Sequence, residues 1–133
     1  MSDPALEVHA SVVAALRAAT PVTDLVSTRI VDWIPPEPVY PFIHVDVSQS
    51  IEDDNACGKA WTVNVDLHIW SRAVGSIETK TLIGAVQAAV DSVSSVAGFG
   101  VDFVQFRNAR TISERDGLTT HGVVTFELGL NEV

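Results

Sequence analysis

The stretch that decides the fold is WTVNVDLHIWSR, which runs from Trp61 to Arg72. Apolar and polar residues alternate along it up to Trp70, and a period of two places successive side chains on opposite faces of a strand. This pattern predicts a strand with one buried face. The buried face would hold Trp61, Val63, Val65, Leu67 and Ile69, and the other face Thr62, Asn64, Asp66, His68 and Trp70.

A second alternating stretch, FIHVDVSQS from Phe42 to Ser50, predicts the partner strand. An antiparallel register in which paired residue numbers sum to 112 keeps the two apolar faces together, and a slip of one residue would invert them. The apolar pairs are then Ile43 with Ile69, Val45 with Leu67, and Val47 with Val65. On the other face His44 lies opposite His68 and Asp46 opposite Asp66, and we call these four residues the polar sheet face.

Two further stretches have apolar residues at helical spacing. The first helix is predicted to begin at Asp3-Pro4, because Asp is a favoured N-cap and Pro fits the first turn, and to end at Thr20-Pro21. The second is predicted from about Ser76 to Ser94. The apolar stripes are Leu6, His9, Val12, Val13 and Leu16 in the first helix, and Ile77, Leu82, Ile83, Val86, Ala89 and Val90 in the second.

The remaining segments complete the order of elements. Leu25 to Val31 is predicted as a helical turn and a short strand, and the proline-rich DWIPPEPVYPF as an extended arm. Val101–Ser113 and Leu118–Leu130 form a second hairpin, with Phe106 opposite Phe126 and a three-residue loop at Arg115–Gly117. The sequence therefore predicts an α+β fold, an antiparallel or mixed sheet of two hairpins with two main helices packed on one face, in a single domain spanning residues 1–133.

Composition excludes several classes of function. The chain has 133 residues and a formal net charge of −9, and its eight Lys and Arg residues are scattered, so no basic face is available to wrap nucleic acid. A single cysteine excludes an intramolecular disulfide. The N-terminus lacks the basic and apolar regions of a signal peptide, and no stretch approaches the roughly 18 apolar residues of a membrane span.

The residue types of the polar sheet face are compatible with either a chemical or a structural role. His44, Asp46, Asp66 and His68 are residue types that bind metals or transfer protons. No further His or Cys lies nearby in sequence to complete a ligand set, and polar residues alternating along a half-buried strand normally meet water or a neighbouring subunit. We therefore predict no catalytic residue, no metal and no cofactor.

The loop IEDDNACGKAW between the first two strands carries two other candidates. Cys57 has no positioned base in the sequence and is predicted to be an unreactive loop thiol. Glu52, Asp53 and Asp54 lack the ligand number and the glycine of a calcium loop. The acidic run is predicted to be a solvated or interface loop.

Three stretches resemble one known family: PPEPVYPFIHVDV, VDLHIWSRAVGSIETKTLIGAVQAAV and RTISERDGLTTHGVVTFEL. They are similar to the tail terminator or tail completion proteins of long-tailed phages, prophages and gene transfer agents, and they cover most of the chain in the same order. The matching features are Tyr40-Pro41-Phe42, the corner HIWSR at His68–Arg72, and DGLTTHGVVTF at Asp116–Phe126. The sequence departs from the family pattern in its unusually acidic loop at Glu52–Asp54.

The resemblance implies a structural virion protein rather than an enzyme. Such a protein caps the tail tube, typically as a hexameric ring, ends tube polymerisation and presents the surface that joins the capsid neck. Its partners would be other copies of itself, the tail tube protein and a neck or connector protein, with DNA only passing through the channel and no membrane involved. It would be made in the host bacterial cytoplasm and reside in the virion tail.

The resemblance also gives roles to individual residues. Trp70 and Arg72 would support the corner between strand and helix, and Glu52, Asp53 and Asp54 would line the lumen or contact an adjoining ring. The alternatives are a head-side connector or joining protein, and a small enzyme with a polar site at His44 and His68.

Overall fold

The computed structural model describes residues 2–54 and 58–133 of the chain. Within them the order of elements is helix α1 (Ala5–Ala18), helix α2 (Thr20–Val26), strand β1 (Ile30–Val31), strands β2 (Phe42–Glu52) and β3 (Ala60–Ser71), helix α3 (Ile77–Asp91), and strands β4 (Phe99–Ser113) and β5 (Thr120–Glu132). The strands form one mixed sheet in the order β1-β2-β3-β5-β4, in which only the β1–β2 pair is parallel. The predicted α+β class is confirmed.

The register of the first hairpin is confirmed. Ile43 pairs with Ile69, Val45 with Leu67 and Val47 with Val65, and the polar pairs are those predicted. Beyond Val47 a bulge at Ser48 shifts the pairing, so that Gln49 lies opposite Asn64. Along β3 every second residue is buried, and Leu67 has no exposed surface.

The helices lie on one face of the sheet and close a single apolar core with it. Helix α3 packs directly over Gly122 of β5, where an added Cβ would lie 2.8 Å from Cγ2 of Thr79. The absence of a side chain at Gly122 therefore sets how tightly α3 packs on the sheet. No helix among the described residues covers the opposite face, and we call it the open face.

The predicted helix stripes were partly wrong. Helix α1 buries Val8, Val12 and Leu16, at spacings of four residues, whereas Leu6 is 75 % exposed. In α3 the buried set includes Thr79, and Ile77 is 79 % exposed. A stripe several residues wide fits more than one helix rotation, and only packing on the sheet selects one of them.

The ends of α1 differ in detail from the prediction. Oδ1 of Asp3 accepts a hydrogen bond from the backbone N–H of Ala5, at 2.8 Å, so Asp3 does bind the first turn. At the other end Ala19 is extended, and a separate helix begins at Thr20. Pro21 fits there because the first turn of a helix does not need its N–H.

The second hairpin agrees with the prediction only in its middle. Phe106 pairs with Phe126 and Val104 with Leu128, but bulges on either side shift the register of β4. The loop was predicted to have three residues and is longer, closed by a hydrogen bond from Glu114 N–H to Thr119 O at 2.9 Å. Gly117 adopts φ +70°, as a left-handed turn residue must.

Candidate functional site

The open face carries a row of three imidazoles on neighbouring strands, which we call the histidine row: His44, His68 and His121. The β2–β3 register stacks His44 on His68, with ring centroids 5.5 Å apart. Nδ1 of His68 lies 2.8 Å from Nε2 of His121 on β5. The first two residues were predicted to lie together, whereas His121 was missed, because finding it requires the long-range β3–β5 pairing.

Aromatic rings extend this row toward the corner of the sheet. Trp70 stacks on His121 with a centroid distance of 3.8 Å and an interplanar angle of 6°. Phe42 stacks on Trp70 at 6.3 Å and is only 3 % exposed. The arm before β2 contributes Tyr40, whose ring lies 5.3 Å from that of Phe42. This end of the open face is an aromatic cluster rather than a hydrated surface.

The hydrogen bonds of the histidine row fix its proton positions. Nε2 of His44 donates to the backbone carbonyl of Asp32 at 3.2 Å. Nδ1 of His121 lies 3.3 Å from Oε1 of Glu114, so it carries a proton. In the neutral form of His121, Nε2 is the acceptor and Nδ1–H of His68 donates to it.

Burial lowers the pKa of both His68 and His121, because a half-buried imidazole loses hydration that would stabilise its charged form. The neighbouring ring adds to the effect in each case: His44 lowers the pKa of His68, and His68 lowers that of His121. His68 and His121 therefore resist charging near neutral pH.

The two aspartates of the polar sheet face lie opposite each other, as the register requires. Oδ1 of Asp66 accepts a hydrogen bond from Oγ1 of Thr125 at 2.8 Å. Among residues 2–54 and 58–133, no group of three His, Cys, Asp or Glu side chains is arranged to hold a metal ion. The contacts of this face are thus hydrogen bonds and ring stacking between strands.

The corner after β3 joins three segments of the chain through Arg72. Its Nε donates to Oγ1 of Thr119 at 3.2 Å, a terminal nitrogen lies 3.9 Å from Oδ2 of Asp116, and the guanidinium sits 4.4 Å above the ring of Tyr40. Asp116 also accepts hydrogen bonds from the backbone N–H groups of Leu118 and Thr119. These bonds lower the pKa of Asp116, and the hydrogen bond from the Thr119 hydroxyl has the largest effect. Arg72 therefore ties the proline-rich arm to the β4–β5 loop.

The acidic run is exposed at the opposite end of the sheet. Nζ of Lys59 lies 3.0 Å from Oδ2 of Asp54 and 3.4 Å from Oε1 of Glu52, and hydrogen bonds to these carboxylates raise its pKa. Backbone N–H of Asp53 donates to the carbonyl of Ala60 at 2.8 Å, which extends the hairpin by one bond. Cys57 lies outside the described residues.

Comparison of the sequence with known protein families assigns the chain to one of them. Residues 10–130 match the family of the tail completion protein gp17. The chain belongs to this family. No curated protein matches the sequence.

Solved structures with the same fold agree with the assignment. One is a chain from the virion of a native gene transfer agent particle, with a TM-score of 0.83, 18 % identity, and coverage of 92 % of this chain and 93 % of that one. Another is the gp17 protein of bacteriophage SPP1, with a TM-score of 0.62, 18 % identity, and coverage of 96 % and 91 %. At this identity the likeness concerns the fold.

Family membership makes the chain a tail completion protein, a structural component of a virion tail and not an enzyme. The resemblance predicted from the corner and hairpin motifs is confirmed, and the enzyme alternative at His44 and His68 is set aside. No helix among the described residues is long and apolar enough to cross a bilayer.

The histidine row of this tail completion protein predicts how its stability depends on pH. The folded-state pKa values of His68 and His121 are lowered, so the unfolded chain takes up protons first as the pH falls. Stability from these groups is complete above the unfolded pKa of about 6.5 and is lost as the pH falls through the folded values. The free energy of unfolding by urea should thus decrease between about pH 7.5 and about pH 5.5.

Two variants distinguish the effect of the histidine row on stability from that of His9, which lies outside the row. His121→Gln keeps a polar group near Nε2 and removes one titrating ring, so the decrease with falling pH should become smaller. His9→Gln changes a histidine on α1, outside the row, and serves as the control for the loss of one imidazole. Equal pH dependence in the parent and His121→Gln would contradict this account of the row.

Proposed function

We propose that this tail completion protein forms a ring on the end of the tail tube, ends tube polymerisation and presents the surface that joins the capsid neck. The observation that carries the proposal is the family match, which spans residues 10–130 and therefore nearly the whole fold. A sheet with an uncovered face and open edges supports it, since such a protein can add copies of itself and contact other virion proteins. The proposed partners are other copies, the tail tube protein and a neck or connector protein.

The acidic run is proposed to face the channel of this ring. Glu52, Asp53 and Asp54 carry three negative charges, and Lys59 compensates one, which leaves −2 per copy for these four residues. Carboxylates around a water-filled channel repel DNA phosphates over the Debye length, about 8–10 Å. The wall would then let the genome slide through without binding it.

Removing the chain from particle-producing cells tests the main proposal. Without a terminating ring, tails should grow beyond their normal length and remain unattached to filled capsids, as seen by electron microscopy of the lysate. Supplying the chain in trans should restore tails of normal length joined to capsids. Normal-length free tails beside capsids that have lost their DNA would favour the head-side connector instead, and normal joined particles would contradict both.

The role of the acidic run is tested by a neutral triple variant, Glu52→Gln, Asp53→Asn and Asp54→Asn. We expect folding and ring assembly to persist, because these side chains are exposed, and DNA delivery per joined particle to fall. The measurements are native mass spectrometry of the purified chain and the number of DNA transfers per particle counted by microscopy.

A control triple removes the same charge elsewhere: Asp24→Asn, Glu37→Gln and Asp91→Asn, all exposed and outside the acidic run. Both triples change the formal net charge from −9 to −6, so a loss caused by total charge would appear in both. Loss of folding or of rings in the first triple alone would show that the acidic run is a structural or subunit contact.

A further inference from the structure

Half of strand β4 is left uncovered by the described residues of its own chain. All seven residues from Arg107 to Ser113 are exposed, although six of them, Asn108–Ser113, pair with β5. Side chains on both faces of this half-strand are therefore accessible, including Ala109 and Thr111, which share a face with the buried Val124 and with Gly122. In the other half, Val104 and Phe106 pack against the core.

This half-strand is also an open edge. Strand β4 lies at the end of the sheet order, so one row of its backbone N–H and C=O groups has no partner strand within the described residues. Natural edge strands are often interrupted by proline or by bulges; β4 has no proline, and both of its bulges lie before Asn108, so Asn108–Ser113 pairs with β5 without interruption. Arg110 forms no ion pair or hydrogen bond among the described residues, so its charge is free for a partner.

The other edge of the sheet, at β1, offers a place for such a strand. Strand β1 has only two residues, and beside it a groove of about 580 Å³ separates it from α1. The groove is lined by α1 residues such as His9 and Val13 and by the segment from Ile30 to Trp33. Trp33 is 66 % exposed at its rim, and the carboxylate of Asp32 is exposed beside it.

The exposed half-strand of β4 and strand β1 lie at the same level along the strand direction of the sheet. Following the pairs across all five strands, Val31 lies beside His44, then His68, Val123 and finally Arg110. Strand β4 is antiparallel to β5, and the pairings make β1 parallel to β5. When a second copy is set beside the first in the same orientation, its β1 therefore runs antiparallel to β4 of the first.

We propose that copies of this chain join edge to edge, with Arg107–Ser113 of one copy pairing antiparallel with Ile30–Trp33 of the next and seating in the groove beside α1. The inference rests on the ring proposed above and identifies its subunit contact. Backbone hydrogen bonds would satisfy both open edges, and the groove would cover the helix-side residues of the half-strand. Because the two surfaces differ, each copy uses both, and repetition with rotation closes a ring.

A second copy suits this edge better than an unrelated strand would. The edge of β4 and the groove beside β1 occur on the same chain and at the same level along the strands, and β4 and β1 run in opposite directions. Their charges also complement each other, since Arg110 on the half-strand would approach a segment that carries Asp32. A dimer made by two β4 edges would instead bring the two Arg110 side chains of equal charge together.

Cysteine cross-linking tests this contact. In a Cys57→Ser background, Val31→Cys is combined in turn with a cysteine at Asn108, Arg110 or Ile112, which share the open face. Within one chain Val31 and Arg110 are four strand spacings apart, about 19 Å, so they cannot form a disulfide, which needs Cα atoms within about 7 Å. Oxidation of assembled protein should then give a ladder of covalent oligomers for at least one of the three pairs.

The matched control combines Val31→Cys with Gln105→Cys, which is exposed on the same face of β4 but lies about 17 Å from Arg110 along the strand. The control should give no ladder. Native mass spectrometry of the same samples reports whether rings are present. Rings without a ladder, or rings with equal cross-linking through Gln105, would contradict this subunit contact but not the proposal that the chain forms a ring. A chain that stays monomeric at all concentrations would contradict both proposals.

Discussion

Strand β3 is paired along both of its edges, and the rest of the structure depends on that double pairing. Its odd-numbered residues from Trp61 to Ile69 are buried, so a shift of one residue against β2 or β5 would move the whole apolar set to the open face. The cost of exposing these side chains fixes both registers at once. The histidine row, the stacking of Trp70 and the position of the corner all follow from it.

This explains why a corner rich in His, Trp and Arg has a structural role. Trp70 fills the end of the open face by stacking on His121 and Phe42, and Arg72 holds the arm and the β4–β5 loop together. These side chains are occupied by contacts within the chain. What the fold leaves available is its backbone at the edge of β4, its groove beside β1 and its exposed acidic run, which are the surfaces an assembling protein needs.

Much of this could be predicted from local pattern. The alternation in two neighbouring stretches was enough to obtain the β2–β3 register, because only one register buries both apolar faces. The bulges in β2 and β4 could not be found in this way, since they depend on local twist and on the pairing between strands. His121 was missed for a similar reason: its place in the row is set by pairing between strands that are distant in sequence. The exposure of Leu6 and Ile77 likewise depends on helix rotation, which the apolar stripes left open.

The central claim is that this chain completes the tail as a ring. A reconstruction of the intact particle by electron cryo-microscopy, focused on the junction between tail and capsid, tests it most directly. The account predicts one ring of this chain between the last ring of the tail tube and the neck, with the loop that contains Glu52–Asp54 facing the channel. Density for the chain at the distal tip, repeated along the tube, or as isolated single copies would contradict it.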